Sequence, residues 1–147
     1  MLLKSSAFED TQMLPLKYAK AGQNVSPPLS WEGVPQGTKA FALAVVDRHP
    51  VARNYIHWLV TDIGADVTSL EEGANTRMPA ESRQLKAYVG PFPPSGTHDY
   101  EFTLYALKTD KLDLPDKVSL ETFTATAEQS SLATAKLIGK FTKLKAK

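Results

Sequence analysis

Two distant segments of the chain each carry a histidine beside an aromatic residue and next to a strand-like run. The first segment leads through Asp47 to His57, and the second contains His98 and Tyr100. An imidazole titrates near neutral pH, so a histidine can exchange a proton or bind an anion. Loops on rigid strands are where binding and catalytic residues concentrate. The pattern predicts a small polar pocket, walled by prolines, that serves as an anion site, a catalytic site or both.

Each of these residues also has a purely structural interpretation. In strand alternation His57 faces away from Trp58 and shares the face of Leu59, which suits a core histidine bonded to a backbone carbonyl. On this alternative, His98, which follows a turn, would be an exposed loop histidine, and Asp47 would be a residue that ends a strand. The concurrence of one acid and two histidines at strand ends favours a site.

Several chemistries can be compared for this set. A metal site would draw on His49, His57, His98 and Asp47, but no two histidines have the close spacing of a zinc motif. The sequence lacks Gly-x-Ser-x-Gly, a cysteine nucleophile and a glycine-rich phosphate loop before a helix. Acid–base catalysis by Asp47 with His57 or His98 stays open. Anion binding requires least, namely imidazoles, a tyrosine hydroxyl and backbone N–H groups.

The composition of the chain narrows the class of protein. The 147 residues fit one domain, 1–147, and 42% apolar residues suffice for a substantial core. A net charge of +1 gives no sign of a nucleic-acid partner. The absence of cysteine is compatible with a reducing compartment. With no signal-like start and no apolar run of about 20 residues, we expect a cytoplasmic protein without an integral membrane segment. No cofactor motif is present, and a homodimer stays open.

The elements that would position the site are mostly strands. Apolar, β-branched and aromatic runs predict strands at 41–46, 55–61 and 100–107, the first buried on both faces. Ser119 is a candidate N-cap for a helix at about 119–128, and a second helix is predicted near 131–137, ended by Gly139. Residues 64–83 are expected to form a long surface loop. This order favours an antiparallel β-sandwich with one or two short peripheral helices near the C-terminus.

Two stretches, 23–31 and 90–98, are specific in sequence, and 33–43, 57–60, Tyr100, 104–107 and 135–141 accompany them. Together they resemble the phosphatidylethanolamine-binding protein family, and in particular its short bacterial and archaeal Raf-kinase-inhibitor-like branch. The resemblance spans nearly the whole chain.

The resemblance implies a mainly β sandwich of two antiparallel sheets, with a pocket for phosphate-like anions such as phospholipid head groups or phosphorylated residues. It implies a non-enzymatic regulator, with two alternatives: a kinase or serine protease inhibitor acting through a surface loop, or, less favoured, an enzyme using acid–base groups. Carried over by position, the pocket residues are Asp47, His57, Pro91 or Phe92, His98 and Tyr100.

The sequence departs from the family pattern at the pocket rim. Arg48, His49 and Pro50 follow Asp47 in a run one residue shorter than usual, and Asp99 stands where an arginine is usual. We expect Asp99 to pair with Arg48 or His49 across the rim; two independent solvated charges are the alternative. An Asp99 directed into the pocket would repel anions. Otherwise, anion binding by the histidines should strengthen as the pH falls from about 8 to 6.

Overall fold

The computed structural model describes residues 1–144. Within them, nine strands form two sheets, and one α-helix, α1 (Leu120–Gln129), lies near the C-terminal end. The strands are β1 (Leu2–Lys4), β2 (Gln12–Met13), β3 (Leu29–Glu32), β4 (Ala40–Asp47), β5 (Tyr55–Gly64), β6 (Ser69–Leu70), β7 (Arg83–Lys86), β8 (Thr97–Leu107) and β9 (Ser131–Thr142).

The larger sheet has the strand order β2-β9-β8-β4-β5-β7, and the smaller one β1-β3-β6. All pairings are antiparallel except that of β2 with β9. One apolar core lies between the sheets, and a second lies between the larger sheet and α1. The first core includes Trp31, Phe41, Trp58, Phe102 and Leu137, and the second includes Ala42, Leu59, Tyr105, Phe123 and Ala127.

The predicted strands and the first predicted helix are confirmed. Every residue of β4 is buried, because the strand lies between β5 and β8 and has an apolar core on each face. Ser119 is the N-cap of α1, since its Oγ accepts a hydrogen bond of 3.1 Å from the N–H of Thr122. The mainly β sandwich is confirmed, with one helix near its C-terminal end in the described part of the chain.

The second predicted helix, at 131–137, is wrong. This segment belongs to β9, which pairs with β8 along its whole length. Burial falls on Ala135, Leu137, Gly139 and Phe141, which is the two-residue period of a strand. Gly139 therefore ends no helix; a Cβ there would lie 2.7 Å from the side chain of Leu14.

The region predicted as a long surface loop, 64–83, contains short elements of regular secondary structure and buried residues. It contains β6 and a 3-10 turn at Ala74–Thr76, and Leu70 and Ala74 are buried in the core between the sheets. Among the residues that the structure describes, no helix has the length and apolar character to cross a membrane.

Candidate functional site

The candidate site lies where β4 ends, between the start of β5 and the start of β8. In the sheet register Asp47 is opposite Tyr55 on one side and opposite Tyr100 on the other. Three polar side chains are therefore brought together by backbone pairing, although they are distant in the sequence. The strand ends place His57 and His98 in the same neighbourhood.

An irregularity in β5 orients His57. Ile56 pairs with Val46 and Trp58 with Val45, so His57 is an extra residue in β5. Such a bulge turns a side chain away from simple alternation. The ring of His57 lies 5.0 Å from that of Tyr100, a residue of the core between the sheets, whereas Leu59 packs in the helix-side core. The prediction that His57 shares the face of Leu59 is therefore wrong.

His57 is fixed to the segment that follows β7. Its Nδ1 lies 2.6 Å from the carbonyl oxygen of Val89, and the N–H of Val89 donates to the carbonyl of His57 at 2.9 Å. Because a carbonyl only accepts, Nδ1 carries the proton and Nε2 is the acceptor of the neutral ring. Burial lowers the pKa of His57, partly opposed by the bond to Val89. The ring is therefore neutral at pH 7.

Asp47 connects His98 to the turn after β4. One carboxylate oxygen accepts from Nδ1 of His98 at 2.6 Å, and the other accepts from the backbone N–H of His49 at 2.9 Å. The ring of His98 is fully buried and stacks on that of His49, with centroids 3.9 Å apart. The alternative interpretation of His98 as an exposed loop histidine is therefore wrong. Nε2 of His98 has no hydrogen-bond partner within residues 1–144.

Tyr100 also carries a buried polar atom without a partner. The residue is 1% exposed, and its hydroxyl has no hydrogen-bond partner among the described residues. Burial, followed by the negative charge of Asp47 and by the approach of the phenol to that carboxylate, raises the pKa of Tyr100; the approach does not reach normal hydrogen-bond geometry. The phenol therefore stays protonated at ordinary pH and is available as a donor. Buried polar groups are paired in most proteins, so such an atom calls for an explanation.

A cavity of about 240 Å³ opens beside these groups. Four of the lining residues have polar groups in their side chains, namely Asp47, Tyr55, His57 and Tyr100, and the other four are apolar. The lining residues are Asp47, Val51, Ala52, Tyr55, His57, Phe92, Pro94 and Tyr100. His98 is not among them, because it lies behind Asp47 in the interior.

The proline-rich wall at 91–94 is held by the segment that precedes β3. The N–H of Lys20 donates to the carbonyl of Pro91 at 3.1 Å, and the N–H of Gly90 donates to Oδ1 of Asn24 at 2.7 Å. A Cβ on Gly90 would clash with the carbonyl of Tyr18 and lie 2.7 Å from the carbonyl carbon of Ala19. The two stretches in which the family resemblance is most specific, 23–31 and 90–98, thus contact each other, and Gly90 allows their close approach.

The predicted ion pair across the rim is wrong. The carboxylate of Asp99 lies 2.7 Å from Nζ of Lys140, and Arg48 instead approaches Glu101 at 3.2 Å. Arg48 reaches Asp99 only through its backbone N–H, which donates to the Asp99 carbonyl at 2.9 Å. His49 does not pair with Asp99 either: its Nδ1 accepts from the N–H of Val51 at 3.2 Å. Asp99 and Glu101 lie on the face of β8 opposite His98 and Tyr100.

The rim turn itself is short. Pro50 begins a 3-10 turn, Pro50–Ala52, whose last two residues line the cavity.

Within residues 1–144 no group of three or more histidine, aspartate or glutamate side chains has an arrangement that could hold a metal ion.

The family model for phosphatidylethanolamine-binding protein matches residues 4–142. The chain belongs to this family. A relative from Methanothermobacter thermautotrophicus, named UPF0098 protein, is 42% identical over 147 residues, covering 95% of this chain and 97% of the relative.

Solved structures of family members share the fold. That of Escherichia coli YbcL, described as a new member of the mammalian PEBP family, has a TM-score of 0.87 and 30% identity, covering 98% of both chains. That of CT736 from Chlamydia trachomatis, described as a putative homolog of the family, has a TM-score of 0.84 and 32% identity, covering 97% of both chains.

The family resemblance named four of the eight residues that line the cavity, namely Asp47, His57, Phe92 and Tyr100. It offered Pro91 or Phe92; Phe92 lines this cavity, whereas Pro91 lines a different one on the other side of the wall. Val51, Ala52 and Tyr55 were not expected in the lining, whereas Pro94 belongs to the proline wall that the sequence predicted. The position of Tyr55 was a usable signal, because it stands two residues before His57 in a predicted strand. Val51 and Ala52 reach the cavity through the conformation of the rim turn, which no motif in the sequence predicted.

Proposed function

We propose that this family member is a non-enzymatic binding protein whose cavity takes a phosphate-like anion. The observation that carries the proposal is the buried hydroxyl of Tyr100 in the cavity wall, which makes no hydrogen bond of normal geometry within residues 1–144. A bound anion would supply the missing acceptor. A buried donor that gains a partner recovers a cost of about 1–3 kcal/mol.

The other polar groups favour an anion that still carries a proton. Neutral His57 offers an acceptor at Nε2, and the carboxylate of Asp47 is an acceptor as well. A hydrogen phosphate or a protonated phosphomonoester would accept from Tyr100 through one oxygen and donate its own O–H to His57 or Asp47. This arrangement accommodates the negative charge of Asp47. Asp99 does not oppose it, because its carboxylate lies on the outer face of β8 beside Lys140.

We propose that the protein has a regulatory, inhibitor-like role in the cytoplasm. The second candidate function is inhibition of a protein partner, such as a kinase or a serine protease, through a surface loop. The exposed rim turn next to the cavity favours that candidate, since Val51 is 57% exposed. Inhibition that survives His57→Ala would assign it to a surface loop rather than to the cavity. Cell fractionation tests the location.

The direct test is a titration with phosphate, phosphoethanolamine and dimethyl phosphate, followed by NMR of the histidine rings. Tyr100→Phe should weaken phosphate binding about tenfold, since it removes one hydrogen bond to a charged group. Asp99→Asn, on the outer face, is the matched control and should bind as the wild type does. Dimethyl phosphate has no O–H to donate and should bind more weakly than phosphate.

The pH dependence adds a second readout. Because burial lowers the pKa of His57, its protonation lies below the ordinary value of about 6.5. Dimethyl phosphate, which stays monoanionic, should therefore bind more tightly only as the pH falls below about 6.5, when Nε2 becomes a donor. Absence of any saturable shift in the His57 ring with all three ligands would refute an anion site in this cavity.

A further inference from the structure

The outer edge of β9, on the side away from β8, is covered along only part of its length. β2 pairs with β9 at Gly139 and Lys140 alone. The N–H of Ile138 donates to Oδ1 of Asp10 at 2.8 Å, and the carbonyl of Ile138 accepts from the N–H of Thr11 at 2.7 Å. Both backbone groups of Ile138 therefore point away from β8, which fixes the residues of β9 whose backbone groups lie on this edge.

The backbone groups of Thr134 and Lys136 lie on the same edge as those of Ile138, because the direction alternates along a regular strand. The register of β9 with β8 has no shift between Ala133 and Thr142, so the alternation holds over this range. Within residues 1–144, the N–H and C=O groups of Thr134 and Lys136 have no hydrogen-bond partner. Both side chains are exposed. These backbone groups are therefore available to a further strand.

The open part of β9 has few of the features that protect a sheet edge. Such features are charged side chains, proline and short length. Lys136 is the one charged residue of the segment 131–137, and its ammonium lies 3.6 Å from the carboxylate of Glu101. The segment contains no proline, and Leu132 is 44% exposed. β7, at the opposite edge of the larger sheet, is four residues long and has a basic residue at each end.

We propose that a second copy of the chain pairs with this edge, so that the two β9 strands lie antiparallel about a two-fold axis at Ala135. Thr134 of one copy is then opposite Lys136 of the other, and each such pair exchanges two backbone hydrogen bonds. Thr134 and Lys136 lie one on each side of Ala135, so one two-fold axis supplies partners for all the open groups of both copies. The pairing stops at Ile138, whose backbone groups are already bonded.

The side chains along this seam are compatible with the register. Lys136 faces Thr134 of the other copy rather than a second lysine, so like charges are not placed opposite each other. The antiparallel course also brings the exposed Leu132 of each copy towards the half-buried Ile138 of the other. Because the seam is short, we expect a weak, reversible dimer, as is typical of interfaces below about 1,200 Å².

The seam is separate from the candidate site. Residues 133–136 of β9 pair with 103–106 of β8, whereas His98 and Tyr100 pair with Phe141 and Gly139. The inference therefore does not depend on the proposed function.

Thr134→Pro is the variant that tests the seam, with sedimentation over a wide range of protein concentrations as the measurement. Proline has no N–H and is tolerated on an edge strand, and the N–H of Thr134 has no partner within the described residues of one copy. Each dimer would lose two hydrogen bonds, so association should weaken at least about tenfold. Thr134→Ala keeps the N–H and is the matched control, which should associate as the wild type does.

Hydrogen exchange gives a second readout in the unaltered protein. The amides of Thr134 and Lys136 should exchange rapidly in dilute protein and gain protection as the concentration rises, because the second copy supplies their acceptors. The amide of Ile138, which is bonded to Asp10 within each copy, should show no dependence on concentration.

A wild-type protein that stays monomeric at every concentration, with no gain of protection at Thr134 and Lys136, would refute the inference. A dimer that Thr134→Pro leaves intact would refute it as well, because the copies would then meet at another surface. If Thr134→Pro does not fold, the concentration dependence of exchange at Thr134 and Lys136, compared with that at Ile138, decides the question alone.

Discussion

The two faces of β8 at its N-terminal end differ in the burial and the pairing of their polar side chains. On the inner face, His98 and Tyr100 are buried next to Asp47, and each has one polar atom without a partner in the described part of the chain. On the outer face, Asp99 pairs with Lys140, and Glu101 pairs with Arg48 and Lys136. Neighbouring residues of one strand thus serve a dry site and a wet surface.

The comparison shows which departures from the family pattern lie on the inner face of β8 and which lie on the outer face. The exchange of charge at Asp99 falls on the outer face, where solvent screens an ion pair and its contribution is about 0–1 kcal/mol. His49, in contrast, stacks on His98 and holds the rim turn, so its side chain is coupled to the inner face. A change of sign in the sequence is therefore no guide to a change in the pocket unless the face of the strand is known.

The largest expected difference between the faces is in folding stability. Asp47→Ala leaves the Nδ1 of His98 and the N–H of His49 without their acceptor in a buried place. We expect it to lower the free energy of unfolding by about 3 kcal/mol, since both donors lose a bond to a charged group. Urea denaturation followed by tryptophan fluorescence measures this.

Asp99→Ala is the control on the outer face and should cost less than about 1 kcal/mol. Equal costs for Asp47→Ala and Asp99→Ala would contradict the distinction between a dry and a wet face. So would a large loss for Asp99→Ala alone.

A smaller effect should appear in the pH dependence of stability. Burial lowers the pKa of folded His57, while the unfolded residue titrates near 6.5. As the pH falls below about 6.5, the unfolded chain binds the proton first, so the folded state loses stability until the lower folded pKa is passed. Above about 6.5 this group has no effect.

His57→Gln removes the titration and can keep a donor for the carbonyl of Val89. The difference in free energy of unfolding between the wild type and this variant should therefore shift against the wild type as the pH falls from about 7.5 to 5.5. Subtraction cancels the carboxylates common to both proteins. A difference that stays constant over this range would mean that His57 is solvated as in the unfolded chain.

The sequence was most informative where one pattern had one physical meaning. The continuous apolar run of β4 predicted a strand buried on both faces, and Ser119 predicted the start of α1. The segment of β9 was ambiguous, because alanine, leucine and lysine favour helices while Ala135, Leu137 and Phe141 alternate as in a strand. Pairing with β8 over the full length of β9 decided it, and that contact is not local.

The site shows the same limit. Asp47, His57 and Tyr100 were predicted, because strand ends and a family resemblance pointed to them. The orientation of His57 was not, because a bulge in β5 depends on the register with β4. The partner of Asp99 was also missed: Lys140 lies on β9, which was predicted to be helical nearby, so no pairing across β8 and β9 was expected.

The smallest expected effect is the coupling energy between Asp99 and its neighbours, which two double-mutant cycles measure. In the cycle of Asp99 with Lys140, whose charged atoms are 2.7 Å apart, a coupling energy of about 0.2–1 kcal/mol is expected. In the cycle of Asp99 with Arg48, the two side chains have different partners, Lys140 and Glu101, so the effects on stability should add within about 0.3–0.5 kcal/mol. Both cycles share the same Asp99→Ala variant, and salt should weaken only the first coupling. Coupling in the Arg48 cycle with none in the Lys140 cycle would restore the ion pair across the rim, and would move Asp99 from the outer face towards the mouth of the cavity.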